Sequence, residues 1–157
     1  MKKNIPKGFM PFLGAVLFLA ALAVGQGVLQ TQSHDTLDGV VIDLLKTDVD
    51  NNIATLRFKV RNTGPSNQSW QFNYENCYII DEANQKKYYP LKDADGLYIA
   101  GPVYDKNNGG RFWFDLPAGG TKGIWIKFPQ PSDNPETISI FLPGVSPFEE
   151  VKLRSSS

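Results

Sequence analysis

The 157 residues include one cysteine, Cys77, and one histidine, His34. A single cysteine excludes an intramolecular disulfide and any multi-cysteine zinc site. Cys77 reads as a buried small hydrophobe, the alternative being an intermolecular disulfide or a reactive thiol. With one histidine, any Cys–His or Ser–His–Asp arrangement would depend on His34, which sits in a polar stretch and reads as solvated linker. Charge of one sign is also missing: 16 basic residues face 16 acidic ones. Lys2, Lys3 and Lys7 precede an apolar N-terminal run. If that run is removed, 13 bases remain against 16 acids, a net charge of −3. A mildly acidic domain has no counterion-release drive toward nucleic acid and no polybasic patch for anionic lipid. Calcium loops are absent as well. Asp48-Val49-Asp50-Asn51-Asn52 and Asp93-Ala94-Asp95-Gly96 have the acids of an EF-hand loop but not its sixth-position glycine or twelfth-position glutamate, so both read as turns. No cofactor or metal is expected.

What is present begins with a short positive stretch, Met1–Gly8, followed by the apolar run Phe9–Val24 and then Gly25, Gln26 and Gly27. This is the three-part layout of a secretory signal, with cleavage expected before Gln26 or before Val24. The competing reading is an uncleaved anchor over Phe9–Leu29, since about 20 apolar residues span a bilayer core. Either way the positive end stays inside and the rest is expected outside the cytoplasm, in a periplasmic, cell-surface or secreted setting, anchored in the inner membrane if the run is uncleaved. The expected organisation is a signal peptide or membrane anchor at 1–25, a Gln/Ser/Thr-rich linker at 26–36, one domain at 37–153 and a frayed tail at 154–157.

No helix-length amphipathic period follows Leu29. In Ile53–Val60, Ala54, Leu56, Phe58 and Val60 alternate with Thr55, Arg57 and Lys59, which places the first set on a core face. Asn62-Thr63-Gly64-Pro65-Ser66-Asn67 then stops the strand. Further strands are expected at Val40–Leu45, Ser69–Tyr74, Cys77–Asp81, Lys86–Tyr89, Arg111–Leu116, Thr121–Phe128 and Thr137–Leu142. Seven or eight short strands at this spacing predict an all-β sandwich.

Three segments carry a family resemblance: Ala54–Gly64 (ATLRFKVRNTG), Tyr78–Pro90 (YIIDEANQKKYYP) and Leu116–Pro129 (LPAGGTKGIWIKFP). With the closing Phe141–Val151, they resemble the immunoglobulin-like domains of unknown function found after signal or lipoprotein sequences in bacterial envelope proteins. The resemblance implies an immunoglobulin-like β-sandwich of 7–8 strands in an envelope setting, and it carries no catalytic residues. The chain lacks the lipid-bearing cysteine and the peptidoglycan-binding module of some relatives.

The acidic neighbours Asp81-Glu82 and Glu149-Glu150 lie in strand-like segments, where adjacent side chains point to opposite faces, so neither pair is poised across a cleft by local structure. The aromatics carry the strongest signal. If Phe112, Phe114, Ile124, Ile126 and Phe128 face the core, Trp113 and Trp125 face away from it, where they would meet a partner or a covering loop. Tyr98 and Tyr104, with Tyr88 and Tyr89, are candidate contributors. If the loop Pro117–Thr121 is a hairpin, Trp113 falls opposite Trp125; if it crosses between sheets, the two lie on different outer faces. The expected function is a non-enzymatic interaction or structural module binding an envelope protein partner. A carbohydrate- or peptidoglycan-binding module using the outward aromatics is the alternative, and a carboxylate hydrolase a more distant third.

Overall fold

The computed structural model describes residues 27–155. The signal or anchor segment expected over 1–25 falls outside them. The described residues form an all-β structure of eleven strands with no α-helix. β1 (Gln30–Ser33), β2 (Val40–Asp50), β3 (Ile53–Asn62) and β8 (Thr121–Pro129) lie side by side in one sheet. There β11 (Arg154–Ser155) adds a short parallel pairing to the far end of β2. A second sheet runs β10 (Phe148–Val151), β9 (Ile138–Phe141), β5 (Tyr78–Asp81), β6 (Lys86–Tyr88). β4 (Gln68–Asn73) and β7 (Arg111–Leu116) form a third. Every pairing but that of β11 is antiparallel.

The alternation read in the sequence sets the layers. Ala54, Leu56, Phe58 and Val60 are buried, while Arg57 and Lys59 are exposed. β8 repeats the pattern with Ile124, Ile126 and Phe128 inside, and β7 with Phe112, Phe114 and Leu116 inside. The inner faces of the three sheets merge into one buried cluster, consistent with a β-sandwich. Phe58 of the first sheet meets Phe148 of the second at 5.7 Å between ring centroids. Trp70, Phe72, Phe112 and Phe114 form an aromatic block under the third.

β2 is too long for simple alternation. Val40, Ile42 and Leu44 point inward, and pairing then jumps from Leu44↔Phe58 to Lys46↔Arg57. Leu45 is the extra residue of a β-bulge, which exchanges the faces so that Thr47 becomes the buried position. The β2–β3 turn is the two residues Asn51 and Asn52, both left-handed at φ 48° and 62°. Two left-handed residues make the hairpin turn whose twist suits the flanking strands, and asparagine tolerates that region.

All eight strands expected from the sequence are present, with three short ones added. The linker expected at 26–36 is corrected: it contains β1, which pairs with Val41–Leu44. The frayed tail expected from 154 is likewise corrected, since it opens with β11. β1 has no apolar residue to reveal it. Backbone pairing holds it, together with two amides that reach across to the second sheet: Gln30 Nε2 donates to the Glu149 carbonyl (2.6 Å) and Gln32 Nε2 to the Pro147 carbonyl (2.8 Å). His34, expected as solvated linker, also joins the fold. Its Nδ1 accepts the backbone N–H groups of Thr36 and Leu37, and its ring meets Trp70 edge-on at 5.3 Å.

Pairing between distant strands is nested. β3 pairs with β8, and β4 with β7. Both connecting loops, 63–67 and 117–120, therefore carry the chain from one sheet to another. Asn62 ties the two loops together: its Nδ2 donates to the carbonyls of Ser66 (2.7 Å) and Leu116 (3.0 Å), and its backbone N–H to Gly120 (2.9 Å).

Candidate functional site

Trp113 and Trp125 are both outward, each 40% exposed. The register that would set them face to face is corrected. Trp113 lies opposite Gln71 on β4 and Trp125 opposite Arg57 on β3, because Pro117–Gly120 crosses between sheets instead of turning a hairpin. There is no shared tryptophan patch; each ring has its own neighbourhood.

Around Trp113 the structure assembles an aromatic corner. Tyr104, 62% exposed, approaches the Trp113 ring to 4.0 Å between centroids and stacks near-parallel to Phe112 at 5.8 Å. The Arg111 guanidinium lies 5.9 Å from the Trp113 ring. The loop around Tyr104 is held by backbone bonds between Asp105 and Arg111 in both directions, and by the Asp105 carboxylate, which caps Asn107 and Asn108. The N–H and C=O of Arg111 point to that loop, so by antiparallel alternation those of Trp113 and Asp115 point the same way, off β4. No strand lies beyond them among the described residues. Two exposed aromatic side chains thus stand at the head of an open sheet edge. At the other end of the β4–β7 pair, on the β4 side, a groove of about 380 Å³ is lined by Asn67, Gln68, Ser69, Asp115 and Pro117.

Tyr98 is corrected as a surface candidate. It is only 5% exposed, stacked on Tyr74, and a side chain at Gly110 would strike its ring at 2.6 Å. Tyr88 packs partly against the core, and Tyr89 is exposed beside Tyr78 with Lys87 over both rings. Cys77 is fully buried, and burial pushes its thiol far up from the usual range, so no thiolate is offered to solvent.

The two expected calcium-like segments are turns. Asp48 is held by Lys46 and Arg57, and Asp93 Oδ1 accepts the backbone N–H groups of Asp95 and Leu97. Among the described residues no three His, Cys, Asp or Glu side chains gather as metal ligands. One grouping escaped the sequence altogether. Glu82, Glu136, Glu149 and Glu150 line a common groove of about 360 Å³, where Glu82 accepts a 2.5 Å hydrogen bond from Ser139. Those carboxylates come from three separate segments, so no local spacing could have announced them.

No family model and no curated protein matches this chain. Among solved structures, a crystal structure of a functionally unknown protein from Listeria monocytogenes EGD-e aligns with a TM-score of 0.40 and 11% identity, covering 78% of this chain and 86% of that one.

Proposed function

We propose that this chain is a non-enzymatic interaction module that captures an extended segment of a protein partner at the open edge of β7. The carrying observation is the coincidence of free main-chain groups at Trp113 and Asp115 with the exposed Trp113–Tyr104 ring pair. An added strand takes its affinity from main-chain hydrogen bonds and its specificity from side-chain contacts alongside. Here the rings form a wall at one end of the edge.

The setting belongs to the same proposal: a bacterial cell envelope, with the domain outside the cytoplasm. It rests on Lys2, Lys3 and Lys7 ahead of the apolar Phe9–Val24 run. Among the described residues no helix is long and apolar enough to cross a membrane. We also read the sandwich as immunoglobulin-like, supported by the two connections that cross between sheets. Its pairing order departs from the immunoglobulin key, which offsets the two pairs: here β3–β8 encloses β4–β7.

Two measurements test this. An export-dependent reporter fused after Leu153 is expected to be active; activity from a cytosolic reporter alone would refute the address. For the edge, Asp115→Pro removes an outward N–H while leaving the β4 pairing intact. Cross-linking on native envelopes should lose its protein adduct in Asp115→Pro and in Trp113→Ala, with the melting temperature held. Undiminished adducts in both variants would rule out strand addition at this edge.

A further inference from the structure

The outer face of the first sheet is chemically unlike the rest of the molecule. From β3 it presents Arg57, Lys59 and Arg61, from β2 Lys46, and from β8 Lys127. Arg154 of β11 stands in register with Asp48 at the margin. Only Asp43, Asp48 and Asp50 oppose these six cations on the same face, in a chain whose charges balance as a whole. Two of the acids are already engaged. Asp43 receives the Arg61 guanidinium through two bonds (2.6 and 3.0 Å) and the Thr31 hydroxyl (2.8 Å). Asp48 lies 2.8 Å from Lys46 and 3.7 Å from Arg57. The face therefore keeps a surplus of positive charge.

Trp125 stands within this field. In register it follows Lys46 and Arg57 as the third residue of a row across three strands, and Lys127 is its neighbour along the strand on the same face. Directly opposed Cβ atoms are about 4.5–5.5 Å apart, so the ring lies within reach of the Arg57 guanidinium. Trp125 is the one exposed aromatic ring among the described residues of β2, β3 and β8. Gly123, two residues before it on the same face, leaves open space where a side chain would stand, with no heavy atom within 4 Å of a Cβ there. On the side of Trp125 away from Gly123, a groove of about 460 Å³ is bounded by Trp125, Lys127, Arg57, Lys46, Asp48 and Asp50.

We infer that this face binds an acidic polysaccharide whose sugar rings carry carboxylates. One pyranose ring lies on Trp125 through its C–H face, over the bare Gly123 shelf, and its carboxylate meets Arg57 or Lys59, which stand opposite Trp125 and Gly123 on β3. A guanidinium fork matches a carboxylate with two parallel hydrogen bonds. Successive basic residues along β3 repeat at about 6.8 Å, twice the rise of an antiparallel strand, so the face offers a row of cations along which an acidic chain is held. Charge complementarity and a single ring platform select this occupant. Single-stranded nucleic acid is held by aromatic rings that stack successive bases, and a membrane surface by several apolar side chains that enter it together. This site lies on a different sheet from the β7 edge and does not depend on it.

The test is titration of the full-length protein with polygalacturonate, followed by calorimetry or affinity electrophoresis. Dextran, vesicles of phosphatidylglycerol and phosphatidylcholine, and oligo-dT serve as comparators. Binding to polygalacturonate alone is expected, weakened about tenfold or more by Trp125→Ala, as loss of a stacking platform predicts. Arg57→Gln should weaken it further at low salt. Gly123→Glu places a carboxylate in open space without strain, so it should keep the melting temperature and lose the glycan. The proposal is overturned by equal binding of dextran, by preference for vesicles or oligo-dT, by no binding of polygalacturonate, or by affinity indifferent to both Trp125→Ala and Gly123→Glu.

Discussion

His34 is held in one protonation state by where its nitrogens point. Nδ1 accepts two backbone N–H groups, so it has no room for a proton, and Nε2 is buried without a partner. Burial lowers the pKa from the ordinary value, and the Asp35 carboxylate opposes this more weakly. In the unfolded chain the imidazole protonates near the usual histidine value, about 6.5. The unfolded state therefore takes up the proton first as pH falls. Stability from this residue is present in full above about pH 6.5 and is lost as pH drops through the lowered folded value. Denaturant midpoints measured across that window should fall with acid in the native chain, with a shallower slope in His34→Gln. Two neighbours on β3 make a sharper contrast. Phe58→Ala should cost about 3–5 kcal/mol as a fully buried aromatic is lost. Lys59→Ala should stay within about 0.5 kcal/mol. Equal shifts would mean that the strand faces are exchanged. The alternation that made this contrast readable needs only a two-residue period. Tyr98 was unreadable for the opposite reason. Its burial depends on Tyr74 and on Gly110, which no local pattern connects.

At the scale of elements, the sequence shows strands that bury one face and hides those that do not. β3, β7 and β8 carry large apolar side chains at alternate positions, so their existence and facing were both legible. β1 is Gln-Thr-Gln-Ser, and its place comes from hydrogen bonds to β2 and from Gln30 and Gln32 reaching the second sheet. β10 was masked by its bulge: Glu150 adopts φ 53° where pairing shifts between Phe148 and Val151. A left-handed non-glycine residue at an exposed bulge is strained, so Glu150→Gly should raise thermal stability, by about 0.5–1 kcal/mol. A lower melting temperature would show instead that the glutamate side chain contributes contacts that outweigh the strain. The loop Pro117–Gly120 was ambiguous in the sequence because Pro, Gly and Gly suit a hairpin and a crossing equally. The pairings make it a crossing, and Asn62 ties down both its ends, by a side-chain bond to Leu116 and a backbone bond to Gly120. The positions of both tryptophans follow from that crossing, which sets Trp113 opposite Gln71 and Trp125 opposite Arg57.

For the whole molecule, the nested pairing imposes an order on assembly. Bringing β8 onto β3 in an open chain closes a loop that runs from Arg61 to Thr121. If β4 and β7 are already zipped from Gln68 to Leu116, the same closure spans only the two short crossings. Loop-closure entropy rises with the logarithm of length, so prior formation of β4–β7 lowers that cost by about 1.5 kcal/mol. The inner pair is thus the natural nucleus, reinforced by its aromatic block, and the outer pair consolidates afterwards. Conservative truncations should divide accordingly in folding kinetics. Phe72→Leu on β4 should mainly slow folding, whereas Ile126→Val on β8 should mainly speed unfolding. The surfaces inherit this sequence of events. The β7 edge is complete as soon as the nucleus forms, while the cationic face around Trp125 comes into being only when the last long-range pairing closes.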